Sequence, residues 1–213
     1  HVVADNKEEL RRTIVFALEN IFFVMLPMTI FLCLLSEPLV RVVFQRGVFD
    51  AGSTAVTASV LFFFSLGLMG YGGVKILAAA FHAMQDTRTP VKVAVLSLVI
   101  NALLDVILMF PMKLSGIALA SAIASMVNLG ALFIILDRRI GGLKGAFAEY
   151  FIKLFAAGLV MGGFVWAAWH FMTGVPEVLR LVGVAVLGGA VYFAGAHAFG
   201  LDQARQVLKM FKR

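Results

Sequence analysis

Cysteine is nearly missing from this 213-residue chain. Cys33 stands alone, so neither an intramolecular disulfide framework nor a cysteine-based zinc site can form. Charge is scarce as well: Asp, Glu, Lys and Arg make up 14% of the residues, apolar types reach 62%, and mean hydropathy is +0.98. Soluble domains carry an apolar share of roughly 45–50%. A water-soluble fold of this length would leave roughly 30% of its unfolded surface facing water, and this composition has too little polar surface to cover it. A soluble domain is excluded; the solvent is lipid. What charge there is leans positive, +6 with a pI near 9.8. In a soluble domain that would raise nucleic acid as a partner, but here the membrane accounts for the excess. The first dozen residues, HVVADNKEELRR, are polar and charged. They read as neither signal peptide nor anchor, and the chain reads as a piece of something longer.

Long apolar runs are abundant. A bilayer core of about 30 Å takes about 20 apolar residues in a helix, and six runs qualify: 13–35, 53–83, 90–111, 115–137, 147–171 and 177–200. The fold class is therefore all-α, a polytopic membrane helical bundle of six transmembrane helices. Pro27 predicts a kink in the first span, because proline removes a backbone donor and crowds the preceding turn. The second span would extend about 46 Å as a straight helix, longer than the core, so it has to tilt or bend. Its glycine cluster predicts a bend near Gly70. Pro90 suits the first turn of the third helix, where a missing N–H costs nothing. Residues 37–50, EPLVRVVFQRGVFD, are too short to span and mix apolar residues with Arg41 and Arg46, a pattern that suits an interfacial helix.

Positively charged loops stay on the cytoplasmic side. The side of the N-terminus holds thirteen Lys and Arg, from Lys7 to Arg213, in loops and span ends, whereas the opposite side holds four: Arg41, Arg46, Lys113 and Arg180. Both termini are thus expected to be cytoplasmic. Lys75 is the remaining cation and lies inside a span.

Charges at helix centres cost about 2.5–3.5 kcal/mol on insertion scales and call for a partner, a hydrated cavity or a function. Glu19, Lys75 and Asp105 are the three cases. Glu19 and Lys75 lie about 9–12 Å below the cytoplasmic surface by helix rise, so they could meet at one depth; Asp105 lies nearer the far interface. Either Glu19 and Lys75 line an aqueous path, with Asn20, Asn101 and Asn128 adding neutral hydrogen bonds, or they form a structural ion pair and the amides act as interhelical glue. No Ser, His and Asp set can be assembled, the spacing of His82 and Asp86 is one residue short of a catalytic His and Asp box and His82 reads as an interfacial cap, and His170 and His197 show no ligand spacing for a metal.

The last two spans are rich in small residues, including Gly158, Gly162, Gly188 and Gly189. These suit close helix packing or a groove for an acyl or prenyl chain. The tail, LDQARQVLKMFKR, sets Leu201, Ala204, Val207, Leu208 and Phe211 against Arg205, Lys209, Lys212 and Arg213, a basic amphipathic helix suited to an anionic leaflet.

Two stretches go beyond composition. PLVRVVFQRGVFD, containing Arg46, Gly47, Phe49 and Asp50, is followed at the expected distance by KILAAAFHAMQDTRTPVKVAV, containing Asp86, Thr87, Arg88 and Pro90. Together with GIALASAIASMVNLGAL (116–132), they resemble the MurJ/MviN family of lipid II flippases, within the multidrug/oligosaccharidyl-lipid/polysaccharide exporter superfamily. The resemblance covers nearly the whole chain. It implies a fourteen-helix transporter in the bacterial inner membrane, of which the six spans would be helices nine to fourteen. Residues 1–137 would be the second half of the C-terminal lobe, four spans plus the interfacial helix at 37–50, and 138–213 two extra spans with the basic tail. It further implies an undecaprenyl-linked lipid substrate moved by alternating access, a tail groove along 147–200, and the missing N-terminal part of the same protein as partner. No catalytic step, cofactor or metal is implied. Lys75 becomes the local candidate for the cavity's positive charge. An exporter of another lipid-linked oligosaccharide or a drug antiporter of the same superfamily is the alternative reading, and a membrane scaffold or lipid-modifying enzyme the second. The extra pair of spans favours the lipid II reading.

Overall fold

The computed structural model describes the backbone of residues 2–211 and the side chains of 8–143, 145 and 147–206. Its elements are all helices: α1 (Val2–Phe44), α2 (Ala51–Ser65), α3 (Leu68–Ala83), α4 (Arg88–Met112), α5 (Leu114–Ile140), α6 (Leu143–Phe171), α7 (Glu177–Ala198) and α8 (Asp202–Phe211). Six stretches are long and apolar enough to cross a membrane, with α2 and α3 acting as one. Lipid offers no hydrogen bonds to a backbone, so such spans must satisfy their own N–H and C=O groups.

α1 is the axis of the bundle. α2 and α3 pack along one side of it and the α6–α7 hairpin along the other, while α5 lies across α2 and α3 and carries α4 on its outer side. Leu18, Phe22 and Leu26 of α1 are buried in one core with Leu77 and Phe81 of α3, Leu136 of α5 and Leu154 of α6. Two tyrosines fasten the hairpin to the axis. The Tyr150 hydroxyl donates to the Glu19 carbonyl at 2.6 Å and the Tyr192 hydroxyl to the Phe23 carbonyl at 2.8 Å, giving each buried aromatic ring a satisfied polar end. At the other end Arg41 reaches Glu177 at 3.2 Å, and the Arg180 guanidinium lies 4.0 Å above the Trp169 ring.

One local expectation is corrected and two are sharpened. The backbone stays helical through Pro27, and α1 breaks instead at Leu35 (φ −119, ψ 21), three residues before Pro38. Pro38 removes the bond to the Leu34 carbonyl and crowds that turn, so it is the kinking proline. Of residues 37–50, those to Phe44 form a short helix set off from the rest of α1 by the break at Leu35, and residues 45–50 make a turn. In that turn Arg46 Nη2 donates to the Val43 carbonyl at 2.9 Å, Gly47 takes a left-handed φ of +63, and Asp50 Oδ1 accepts the Ser53 N–H at 2.7 Å to cap α2. The Phe44 and Phe49 rings close it, 6.0 Å apart.

The second span bends at Leu66–Gly67, one turn before Gly70. The reason lies across the interface. A Cβ at Gly67 would stand 2.8 Å from Ala122 Cα, and one at Gly70 would stand 2.5 Å from Ser125 Oγ and 2.8 Å from the Ser125 backbone. Gly70 is therefore spent on close approach to α5. The break falls where Ser125 Oγ reaches the Gly67 carbonyl at 3.2 Å.

Candidate functional site

Each of α3, α4 and α5 carries a short polar stripe at helical spacing: Tyr71 and Lys75, Ser97 and Asn101, then Ser121, Ser125 and Asn128. Residues four or seven apart share a helix face, and the three stripes converge on one cavity of about 550 Å³. Phe64, Val74 and Leu98 supply part of its apolar wall. Lys75, Asn101 and Asn128, singled out in the sequence from three different helices, are thus brought together.

The polar groups around this cavity are incompletely paired by the protein. Asn101 Nδ2 donates to Ser121 Oγ at 3.4 Å, and Ser125 Oγ is held by the Ala122 carbonyl at 2.8 Å. Tyr71 Oη, Ser97 Oγ and Asn128 Oδ1 are buried without a hydrogen-bond partner among the described residues, and Ser97 is only 6% exposed. Buried polar groups are nearly always bonded, so these atoms give a mostly apolar wall a few places where water or a polar group can be held. Lys75 is exposed, and no ion pair involving it occurs among the described residues. The cavity therefore offers one mobile ammonium, hydroxyl donors and amide groups. These can hold a polar or anionic group, and none is a nucleophile paired with a base.

The other sequence candidates fall elsewhere. Glu19 does not meet Lys75: it faces away from the cavity, accepts the Gln203 Nε2 hydrogen at 2.9 Å, and lines a separate pocket between α1, α6 and the α7–α8 turn. Asn20 turns its Nδ2 onto the Phe16 carbonyl of its own helix at 2.7 Å. Asp105 is half-buried on α4, one turn beyond Asn101 and outside the cavity lining, with an unpartnered Oδ1.

Two of the four candidate groove glycines are taken up by helix packing. A Cβ on Gly158 would meet Ile30 and Leu26 of α1 at under 3 Å, and one on Gly188 would meet Val165 of α6 at 2.7 Å, so both are occupied by helix packing. Gly162 rests more loosely against Ile30, and Gly189 opens outward.

The DTRTP motif is a joint between three helices. Asp86 Oδ1 accepts the N–H groups of Arg88 and Thr89 at 3.1 and 3.0 Å, and Oδ2 accepts the Thr89 hydroxyl at 2.6 Å, capping α4. Pro90 is buried in the first turn. Arg139, from the end of α5, reaches Asp86 at 2.6 Å and Thr89 Oγ1 at 3.0 Å and lies over the Phe81 ring of α3. The Thr89 hydroxyl and amide, then the Arg139 guanidinium, hold the Asp86 carboxyl well below the usual range. Sequence reasoning missed Arg139, which registered there only as a loop cation. It also missed Tyr71, Ser97, Ser121 and Ser125, although their spacing was a readable signal.

Six helices long and apolar enough to cross a membrane, some of which converge on a cavity carrying polar side chains, define an integral, multi-pass membrane protein. A family model described as "Lipid II flippase MurJ" matches residues 1–184, and the chain belongs to that family. Among curated proteins it is 32% identical over 208 residues to "Probable lipid II flippase MurJ" of Rhizobium tropici, covering 92% of this chain and 39% of that protein. A protein of the same name from Haemophilus influenzae is 30% identical over 213 residues, covering 97% and 42%. The chain thus spans about 40% of the length of the relatives it matches. A solved structure described as "Lipid II flippase MurJ, inward closed conformation" shares its fold, with a TM-score of 0.80 at 24% identity over 94% of this chain and 41% of that one.

Proposed function

We propose that this chain is the C-terminal part of a transporter that moves lipid-linked peptidoglycan precursor, lipid II, across the bacterial inner membrane by alternating access. Residues 1–137 are the second half of its C-terminal lobe and 138–213 an appended pair of spans with a basic tail. Both termini face the cytoplasm. The observation that carries the reading is the cavity among α3, α4 and α5, where Lys75 and the unpartnered polar atoms of Tyr71, Ser97 and Asn128 line a hollow inside an apolar bundle. A pyrophosphate-linked sugar head needs cationic and hydrogen-bonding walls to leave water, whereas its prenyl tail stays in lipid. Lys75 supplies the charge and the amides and hydroxyls supply the neutral contacts. The work asked of the protein is binding and conformational exchange, with no bond made or broken.

The test uses the full-length protein in cells depleted of the native copy, with outer-leaflet lipid II measured by enzymatic accessibility. Depletion should abolish the accessible pool. Lys75→Ala should restore it poorly and Lys75→Arg substantially, because the charge is what matters. An unchanged accessible pool on depletion overturns the transport reading, whereas full restoration by both variants removes Lys75 from the path.

A further inference from the structure

The second pocket, about 230 Å³ between α1, α6 and the α7–α8 turn, is a different kind of place. Glu19 projects into it from an apolar stretch of α1 and has no cationic partner among the described residues; its recorded side-chain contact is the neutral amide of Gln203. Gln203 is only 3% exposed. Its nitrogen is committed to Glu19, and its Oε1 is buried with no partner among the described residues. Glu149 and Asp202 also line it, each already paired, with Lys153 at 2.5 Å and with Arg205 at 3.7 Å. Glu19 and Gln203 Oε1 are left without a positive partner among the described residues, so the pocket suits a positively charged donor.

A bare metal ion is a poor answer, because among the described residues no three His, Cys, Asp or Glu side chains stand close enough to hold one. A primary ammonium suits dispersed acceptors better, since its three N–H groups point in different directions. The pocket also sits where α7 ends and α8 begins, at the border between apolar span and polar end where phospholipid head groups lie. We propose that this pocket binds the primary ammonium of a phospholipid head group, with Glu19 and Gln203 Oε1 as its acceptors and Lys153 beside the adjoining phosphate. The site is separate from the transport cavity and does not depend on the proposed transport activity.

Native mass spectrometry of the full-length protein, with phosphatidylethanolamine and phosphatidylcholine supplied at equal concentration, tests it. The two lipids share a phosphate, but only the first has N–H donors, so the first should be retained about tenfold more, the low end of what a hydrogen bond to a charged group contributes. Glu19→Gln should remove that preference. Should that variant fail to fold, Gln203→Met tests the same contact by deleting the unpartnered oxygen. Competition by soluble phosphoethanolamine supports recognition of the head group alone; selectivity without such competition supports a membrane lipid as the source. Equal retention of the two lipids, or an undiminished preference in the folded variants, overturns the proposal.

Discussion

Asp86 is the residue whose chemistry reaches furthest from its own position. Three hydrogen bonds from Arg88 and Thr89 and an ion pair from Arg139 all favour its charged form, so its carboxyl titrates lower in the folded chain than in the unfolded one. A depressed carboxyl contributes stability that is complete above its unfolded value of about 3.9 and is lost as pH falls toward the folded value. Thermal unfolding of the full-length protein from pH 7 down to pH 2 should therefore show wild type above Asp86→Asn at neutral pH, with the two curves converging below about pH 4. A constant gap across that range would assign Asp86 a purely steric role. Gly70 gives a second prediction at this scale. Adding one methyl drives it into the Ser125 backbone, and overpacking of this kind costs about 1–3 kcal/mol. Gly130, on the same α5 helix as Ser125, has nothing within 4 Å of its missing Cβ, so Gly130→Ala should be neutral or slightly stabilising in the same unfolding measurement.

Between elements, the telling contact is the one α3 and α4 scarcely make. They line a common cavity, yet pack mainly through α5. Arg139 closes their loop end by touching Phe81 of α3 and Asp86 and Thr89 at the start of α4. Its fork can serve two acceptors while stacking on a ring, which a lysine ammonium cannot reproduce. Hydrogen exchange across residues 86–92 should accelerate several-fold in Arg139→Ala and less in Arg139→Lys, while exchange in α6 and α7 stays unchanged. Uniform acceleration throughout the chain would mean that the arginine supports global stability alone. The same scale explains the bends. Pro27 and Gly70 carried the obvious local signals, but a proline can be absorbed where neighbouring packing holds the helix straight, and a glycine can serve approach in place of bending. Only the neighbours, α5 above all, select which signal becomes a kink.

At the scale of the whole molecule, the thirteen-to-four distribution of Lys and Arg makes a prediction about insertion. Reporter fusions after Gly142 should be active on the cytoplasmic side and fusions after Gly174 on the opposite side. Reversed activities would overturn the orientation and, with it, the side from which the Lys75 cavity loads. The exposed apolar faces agree with immersion in lipid or contact with further helices: on α4, Leu98, Leu103, Ile107 and Phe110 are each at least 60% exposed.

The sequence by itself determined the solvent, the six spans and the polar residues inside them. Those follow from composition and one-dimensional spacing, since lipid forces each span to be a self-satisfied helix. Family membership was legible too, in motifs that prove to be caps: Arg46 and Gly47 close α1, and Asp50 and Asp86 open α2 and α4. Partnership was decided only by tertiary structure. Glu19 and Lys75 lie at similar depths, but depth along a helix says nothing of the direction a side chain takes around it. The packing of α1 turned Glu19 toward Gln203 and left Lys75 with Asn101 and Asn128. Rotation about the helix axis is fixed by which apolar faces bury against each other, and that is a property of all the helices at once.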